Sequence, residues 1–288
     1  MRLANQAIRT FVSSSGKHLD IRFLRQVLSL AVAGVFLLAM EGLAAAPLRI
    51  MPLGDSITTG YTMPDWSDDF SFSYRGALYT QLTKAGYNFQ FVGRDDEQPW
   101  VGSPYGPPPK ITGPDLRSVK QDAHRSYCGA VIKELRDGIL DWLKTDDPDV
   151  VLLMIGINDM YYFGKTGNPT EVEARLKDLV QSIVDTKPDA QVIVAQIAPY
   201  KTGENTDSVS QYNNYIKNTL VPEFVRQGKH VSTVDQYANF VTPKGAVDAT
   251  MFSNIAHPNA AGYDRMAQTW LKGIQEVALK PEASAVGK

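Results

Sequence analysis

Only one cysteine, Cys128, occurs in 288 residues, which excludes an intrachain disulfide framework and any zinc site built on several thiolates. A basic surplus is also missing. The 29 Lys+Arg stand against 31 Asp+Glu, a formal net charge of −2, whereas a nucleic-acid partner calls for a strong positive excess. The apolar run Val27–Met40 has 14 residues, short of the ~18 that a membrane span needs. The triplet Gly164–Thr166 reads GKT, but Asp159 stands where a phosphate loop has its first glycine. The pattern G-x-S-x-G is absent, which disfavours the α/β-hydrolase nucleophile elbow. Neither His-x-x-His nor paired Cys occurs, so no metal or other cofactor is expected. With 43% hydrophobic residues and little net charge, the chain has enough apolar content for a substantial core, and intrinsic disorder is excluded.

The first 46 residues read as an address. Arg2, Arg9, Lys17, Arg22 and Arg25 precede the apolar run, and Ala44-Ala45-Ala46 follows it just before Pro47. A charged region, a short apolar region and a small-residue cleavage site make a secretory signal peptide; the competing reading is an uncleaved N-terminal anchor. Without residues 1–46 the chain keeps 24 Lys+Arg and 29 Asp+Glu, a net charge of about −5. The expectation is an acidic exported domain over 47–288 with no stable membrane association after cleavage.

Beyond Pro47, apolar runs of strand length alternate with amphipathic segments of helix length. The strand candidates are Leu48–Leu53, Phe89–Val92, Val150–Ile155, Val192–Ile197 and His230–Val234. Helical spacing marks Tyr74–Ala85, Gly129–Lys144, Val172–Thr186, Ser208–Gln227 and a final segment from about Asn259 to Val277. The alternation predicts a single three-layer α/β/α domain around a five-stranded parallel sheet. Two long connections, Thr58–Ser73 and Gly93–Arg125, leave the carboxyl ends of strands, where open α/β sheets bind ligands. Six prolines between Pro99 and Pro114 forbid regular structure in the second.

Chemistry has few carriers here. Past residue 46 the histidines are His124, His230 and His257. His230 begins a strand, at the end of the sheet away from the ligand edge, and reads as structural. His257 follows the last strand, at the ligand edge, and leads as general base; His124, in a loop, is also able to reach that edge. Ser56 follows the first strand in LRIMPLGDSITTG, with Gly54 permitting a tight turn. It is the candidate nucleophile, and its own amide is placed to stabilise an oxyanion. Asn158, in GIND directly after the third strand, offers a side-chain N–H to a reacting oxygen, or else serves as a turn residue. Cys128 is expected to be a buried small hydrophobe.

Taken together, GDSIT at 54–58, Gly129 opening a helix, GIND at 156–159 and HPN at 257–259 resemble the four blocks of the SGNH (GDSL-like) hydrolases. The MPLGDSIT start, AGYNFQFVG, PDVVLLMIGINDM and the HPNAAGYDRMAQTW tail look most like carbohydrate esterase family 3. The resemblance implies a flavodoxin-like SGNH fold and a secreted serine esterase that removes acetyl groups from a carbohydrate such as xylan. It implies Ser56 as nucleophile and His257 as base, with an oxyanion hole from the amides of Ser56 and Gly129 and the side chain of Asn158.

One position departs from that pattern. The family carries Asp three residues before the histidine, and here that residue is Asn254. The acid normally fixes the imidazole tautomer and stabilises the imidazolium. A backbone carbonyl orienting His257 is the favoured expectation; Asn254 itself, presenting its carbonyl oxygen to the ring N–H, is a candidate substitute for the acid, as are Asp248 and Asp235. A catalytically weak glycan-binding module is the remaining alternative. Trp66, Phe70, Phe72, Trp100 and Tyr105 on the long loops, and Met160, Tyr161, Tyr162 and Phe163 after the third block, suit sugar rings and acyl chains, while packing the loops onto the sheet is the expected role of most of them. Lipid esters and peptidoglycan acetyl groups therefore stand beside polysaccharide as substrates.

Overall fold

The computed structural model describes residues 46–60, 72–94, 114–162, 169–203 and 206–278, with side chains to 160 in the third stretch. The chain separates into two units, Met1–Ala46 and Pro47–Lys288. The expected leader, apart from Ala46, lies outside the described residues.

Six parallel strands form one sheet: β1 (Leu48–Gly54), β2 (Phe89–Phe91), β3 (Arg125–Ser126), β4 (Val150–Met154), β5 (Gln191–Gln196) and β6 (Val231–Asp235). Their spatial order is β2-β1-β4-β5-β6, with β3 also paired to β1. The expected five-stranded parallel sheet is therefore present, extended by one two-residue strand. β4 is buried at every position, which is why its sequence VVLLM shows no polar alternation.

β1 carries a proline, which a central strand normally excludes for want of an N–H. Its even-numbered backbone groups face β2 and β3: Val92 N–H donates to Ile50 O, and Tyr127 N–H donates to Gly54 O. Pro52 therefore points into the gap between β2, which pairs with Leu48–Ile50, and β3, which pairs with Leu53–Gly54.

Helices complete the layers. α1 (Ser56–Thr59) is a single turn; α2 (Ser73–Lys84) packs with α8 (Ala260–Ala278), and α3 (Ile132–Asp146) packs with α5 (Pro169–Thr186). α4 (Ile157–Tyr162) follows β4. α6 (Thr206–Tyr215) runs through a π-helical turn, Ile216–Leu220, into α7 (Val221–Arg226). Pro222 has no N–H to continue the ladder, and the backbone widens so that Val221 N–H reaches Ile216 O. Gly129 does not open the helix predicted over Gly129–Lys144. Its φ of +75° puts it in a left-handed turn, and the helix begins at Ile132.

The connection after β1 runs outward to β2, whereas β4, β5 and β6 lie on the other side. The carboxyl ends of β1 and β4 therefore bound a topological switch point, the crevice where such sheets bind ligands.

Candidate active site

The first side of the crevice is the turn after β1. Gly54 is obligatory there: a Cβ would lie 2.4 Å from Met154 O and 2.5 Å from Thr58 Oγ1. Asp55 caps α1, its carboxylate accepting from Ile57 N–H at 3.0 Å. This leaves Ser56 as the first residue of the helix, 7% exposed, with an amide that no acceptor takes among the described residues.

The second side is the loop before α8. His257 Nε2 lies 2.8 Å from Ser56 Oγ, across 201 residues of sequence. Its Nδ1 lies 3.0 Å from Asn254 Oδ1. The same oxygen accepts the backbone N–H groups of Ala256 at 3.0 Å and His257 at 2.9 Å. Those two amides can only donate, so they hold the carbonyl end of Asn254 toward the ring. Nδ1 is consequently the protonated nitrogen, and Nε2 is free to accept the serine proton. Burial pulls the His257 pKa down to about 4, because loss of hydration disfavours the charged ring.

The favoured expectation for this histidine is thus corrected. The Asn254 side chain, not a backbone carbonyl, orients it. Asp248 is occupied with Thr250, and Asp235 caps the turn at Ala238.

Two further groups come to the same edge. Gly129 sits exposed in the turn after β3, with open space where a Cβ would project and no acceptor on its amide among the described residues. Asn158, the second residue of α4, donates one Nδ2 hydrogen to Ala130 O at 2.9 Å. That bond ties the turn carrying Gly129 to the end of β4 and leaves the second Nδ2 hydrogen available.

Beneath the crevice lies a polar layer that the sequence did not reveal. Asp55 is buried and its pKa is pushed up to about 7 by desolvation, with a smaller repulsion from Asp159. Asp159 is fully buried and also raised, chiefly by desolvation, although it accepts from Ile132 N–H at 3.0 Å and pairs with Arg175 at 3.4 Å. Arg75, also fully buried, donates to Thr58 O, Thr59 O and Asp122 O at 3.1, 2.9 and 2.5 Å. It clamps the end of α1 to the segment that leads into β3. An arginine in the first turn of a helix carries no local mark of such a task.

Other expected positions fall elsewhere. His124 is fully buried, and its Nδ1 accepts from Ser126 N–H at 3.1 Å and lies 2.7 Å from Ser126 Oγ. It belongs to the packing of β3 and not to the Ser56–His257 pair. His230 is exposed just before β6. Cys128 is exposed, not buried, because it sits on the turn that presents Gly129. Phe72 and Met160 are buried, which is the packing role expected of most of the loop side chains. Trp66, Phe70, Trp100, Tyr105 and Phe163, and the side chains of Tyr161 and Tyr162, lie outside the described residues. Among the described residues no group of three His, Cys, Asp or Glu is arranged to hold a metal ion, and no helix is long and apolar enough to cross a membrane.

Residues 53–265 match the GDSL-like lipase/acylhydrolase family. A multidomain esterase of Ruminococcus flavefaciens is 30% identical over 252 residues, covering 81% of this chain and 29% of that protein. The chain thus spans less than a third of this curated relative. Among solved structures, a family 3 carbohydrate esterase of Clostridium thermocellum superposes with a TM-score of 0.58 at 28% identity, over 81% of this chain and 98% of that one. A family 3 carbohydrate esterase from Talaromyces cellulolyticus has the same fold, with a TM-score of 0.57 at 22% identity over 80% and 98%.

Proposed function

The chain belongs to the GDSL-like lipase/acylhydrolase family, and from that premise we propose that it is a carboxylic ester hydrolase that removes short acyl groups, acetyl first, from a carbohydrate. The observation that carries this reading is the 2.8 Å bond between Ser56 Oγ and His257 Nε2 at the switch point. Similarity to family 3 carbohydrate esterases supports the carbohydrate as the alcohol component.

Ser56 Oγ attacks the acyl carbonyl while His257 Nε2 takes its proton. The carbonyl oxygen becomes an oxyanion, met by the amides of Ser56 and Gly129 and the second Nδ2 hydrogen of Asn158. His257 returns the proton to the departing sugar hydroxyl, which leaves an acyl-serine. Water then repeats the sequence: His257 takes its proton, hydroxide adds to the acyl carbon, and His257 returns the proton to Ser56 Oγ as that oxygen leaves and the acid is released. The two carboxyls beneath the site act through the backbone, Asp55 by capping α1 and Asp159 by holding the start of α3.

The test is acetate release from an aryl acetate and from acetylated xylan. Ser56→Ala should reduce it to background with the thermal unfolding profile retained, and full activity in that variant would end the reading. Faster turnover of long-chain acyl esters than of acetyl esters would move the substrate to lipids. We also propose that the chain is exported with a mature start at Pro47. N-terminal sequencing of the secreted protein checks this, and an intact chain recovered from membranes would overturn it.

A further inference from the structure

We propose that Tyr127 is a positioning residue for the oxyanion hole: its ring, held by Arg94 and Trp142, fixes where the turn carrying the Gly129 amide stands relative to Ser56. The proposal rests on the Ser56–His257 reading, in which that amide is a donor, and adds what holds the donor in place.

Residues Tyr127 to Ala130 form a β-turn, closed by Ala130 N–H donating to Tyr127 O at 3.1 Å. Gly129 is its third residue with φ +75°, and Cys128 before it is not left-handed, which is the type II form. The two central residues take no part in the closing bond, so the place of the Gly129 N–H follows from how the two ends are fixed. The far end is secure: Ala130 is buried, and its carbonyl accepts from Asn158 Nδ2 at 2.9 Å. At the near end, Tyr127 N–H donates to Gly54 O at 3.2 Å, the long limit for such a bond. An oxyanion donor has to stand within a few tenths of an ångström of its working place, and a misplacement of about 1 Å can cost about 10²-fold in rate.

The Tyr127 ring secures the near end. The Arg94 guanidinium carbon lies 4.4 Å from its centroid, and the Trp142 indole stacks on it at 5.4 Å with 28° between the planes. Both holders are themselves anchored. Arg94 exchanges two backbone hydrogen bonds with His124, at 2.9 and 3.1 Å. Trp142 has the Arg125 guanidinium 5.4 Å from its ring, and Arg125 is bidentate to Asp146 at 2.6 and 3.0 Å. The Tyr127 hydroxyl interacts with Arg125 as well. A glycine inside a helix is unfavourable, yet Gly138 lies inside α3, one turn before Trp142. A Cβ there would come 2.1 Å from Trp142 Cζ2, so Gly138 is the seat of the indole. Contact therefore runs from α3 through Trp142 and Tyr127 to the turn that presents Gly129.

The experiment measures kcat and KM on an aryl acetate together with inhibition by phenylboronic acid, whose boron binds Ser56 Oγ and sets a tetrahedral oxygen where the oxyanion forms. Tyr127→Leu should lower kcat by about 10²-fold with KM little changed, and weaken the boronate by a similar factor. Tyr127→Phe keeps the ring and should stay within about threefold of the parent in both. Gly138→Ala puts a better helix former on α3, away from the reacting groups, and displaces the indole. It should stay folded by circular dichroism, while kcat and boronate affinity fall by about three- to tenfold. An unchanged kcat in Tyr127→Leu, or a lost kcat with the boronate bound as in the parent, would overturn the proposal. So would a loss in Tyr127→Phe equal to that in Tyr127→Leu, which would give the task to the hydroxyl. If Tyr127→Leu does not fold, Gly138→Ala decides, and a parental rate and boronate affinity there would end the proposal. An unmodified protein that neither turns over ester nor binds the boronate would end the Ser56–His257 reading first, and this proposal with it.

Discussion

Two histidine–serine hydrogen bonds of nearly equal length lie in this protein. His257 meets Ser56 at 2.8 Å, and His124 meets Ser126 at 2.7 Å. They differ in which nitrogen is engaged. His257 presents Nε2 to its serine while Nδ1 donates to Asn254; His124 spends Nδ1 on Ser126, taking both its backbone N–H and its hydroxyl. They differ also in surroundings. Ser56 stands at the mouth of the crevice beside unengaged amides, whereas Ser126 is fully buried and receives a hydrogen bond from Thr59 Oγ1 at 2.9 Å. A short histidine–serine bond is therefore not evidence of catalysis. What separates the pairs is a third group that frees the correct nitrogen, and open donors where an oxyanion would form.

The sharpest break between the pairs is His257→Ala, which should cost at least about 10⁴-fold in kcat on an acetyl ester, or ~5.5 kcal/mol of barrier. Stopped assays on the purified variant, with its folding checked by circular dichroism, measure it.

Asp55 links the pairs, since its carboxylate caps the helix of Ser56 and its backbone carbonyl accepts from Thr59 Oγ1 at 3.2 Å. Its folded pKa of about 7 lies above the ordinary 3.8, so the native state holds the proton more tightly than the unfolded chain. The stability this brings is fully present below about pH 4 and is lost as pH rises to 7. Asp55→Asn removes that dependence. Relative to the variant, the unmodified protein should lose on the order of 4 kcal/mol between pH 4 and pH 8, read from urea unfolding at both pH values. The His257 contribution, of opposite sign, cancels in the difference.

Asn158→Ala should lower kcat by ~10²–10³, equivalent to about 3–4 kcal/mol, with KM little changed, because the lost donor acts on the transition state. Steady-state kinetics on the aryl acetate test it; a rise in KM alone would assign Asn158 to substrate binding instead. The smallest effect belongs to the buried pair. Ser126→Ala should cost ~1–2 kcal/mol of unfolding free energy through the hydroxyl's two lost partners, and kcat should stay within about threefold of the parent. A large kcat loss there would erase the distinction between the two pairs.

The parallel sheet was legible because β4 and β5 are continuous apolar runs of strand length, and periodicity registers such runs directly. β3 was not, since two residues, Arg125 and Ser126, leave no pattern to read; their strand exists only because the end of β1 offers them a partner. The start of α3 was placed three residues early because Gly129 belongs to a turn whose left-handed backbone no spacing rule detects. Ser56, Gly129, Asn158 and His257 were named from their blocks, and the fold sets them along one edge. Arg75, Asp55 and Asp159 escaped notice because their tasks lie in contacts with distant backbone groups.

The sequence by itself determined the α/β alternation, the ends of strands where chemistry gathers, and the identity of the groups available there, because local periodicity and residue type are properties of the chain. Only the tertiary structure decided which nitrogen of which histidine meets the serine at the sheet edge. The block pattern favours His257 over His124, and the amide of Asn254 is fixed locally, by the N–H groups of Ala256 and His257 two and three residues on. What the chain alone does not give is the serine brought within 2.8 Å of His257 Nε2 across 201 residues. Convergence in space of groups far apart in the chain is what a one-dimensional pattern does not contain.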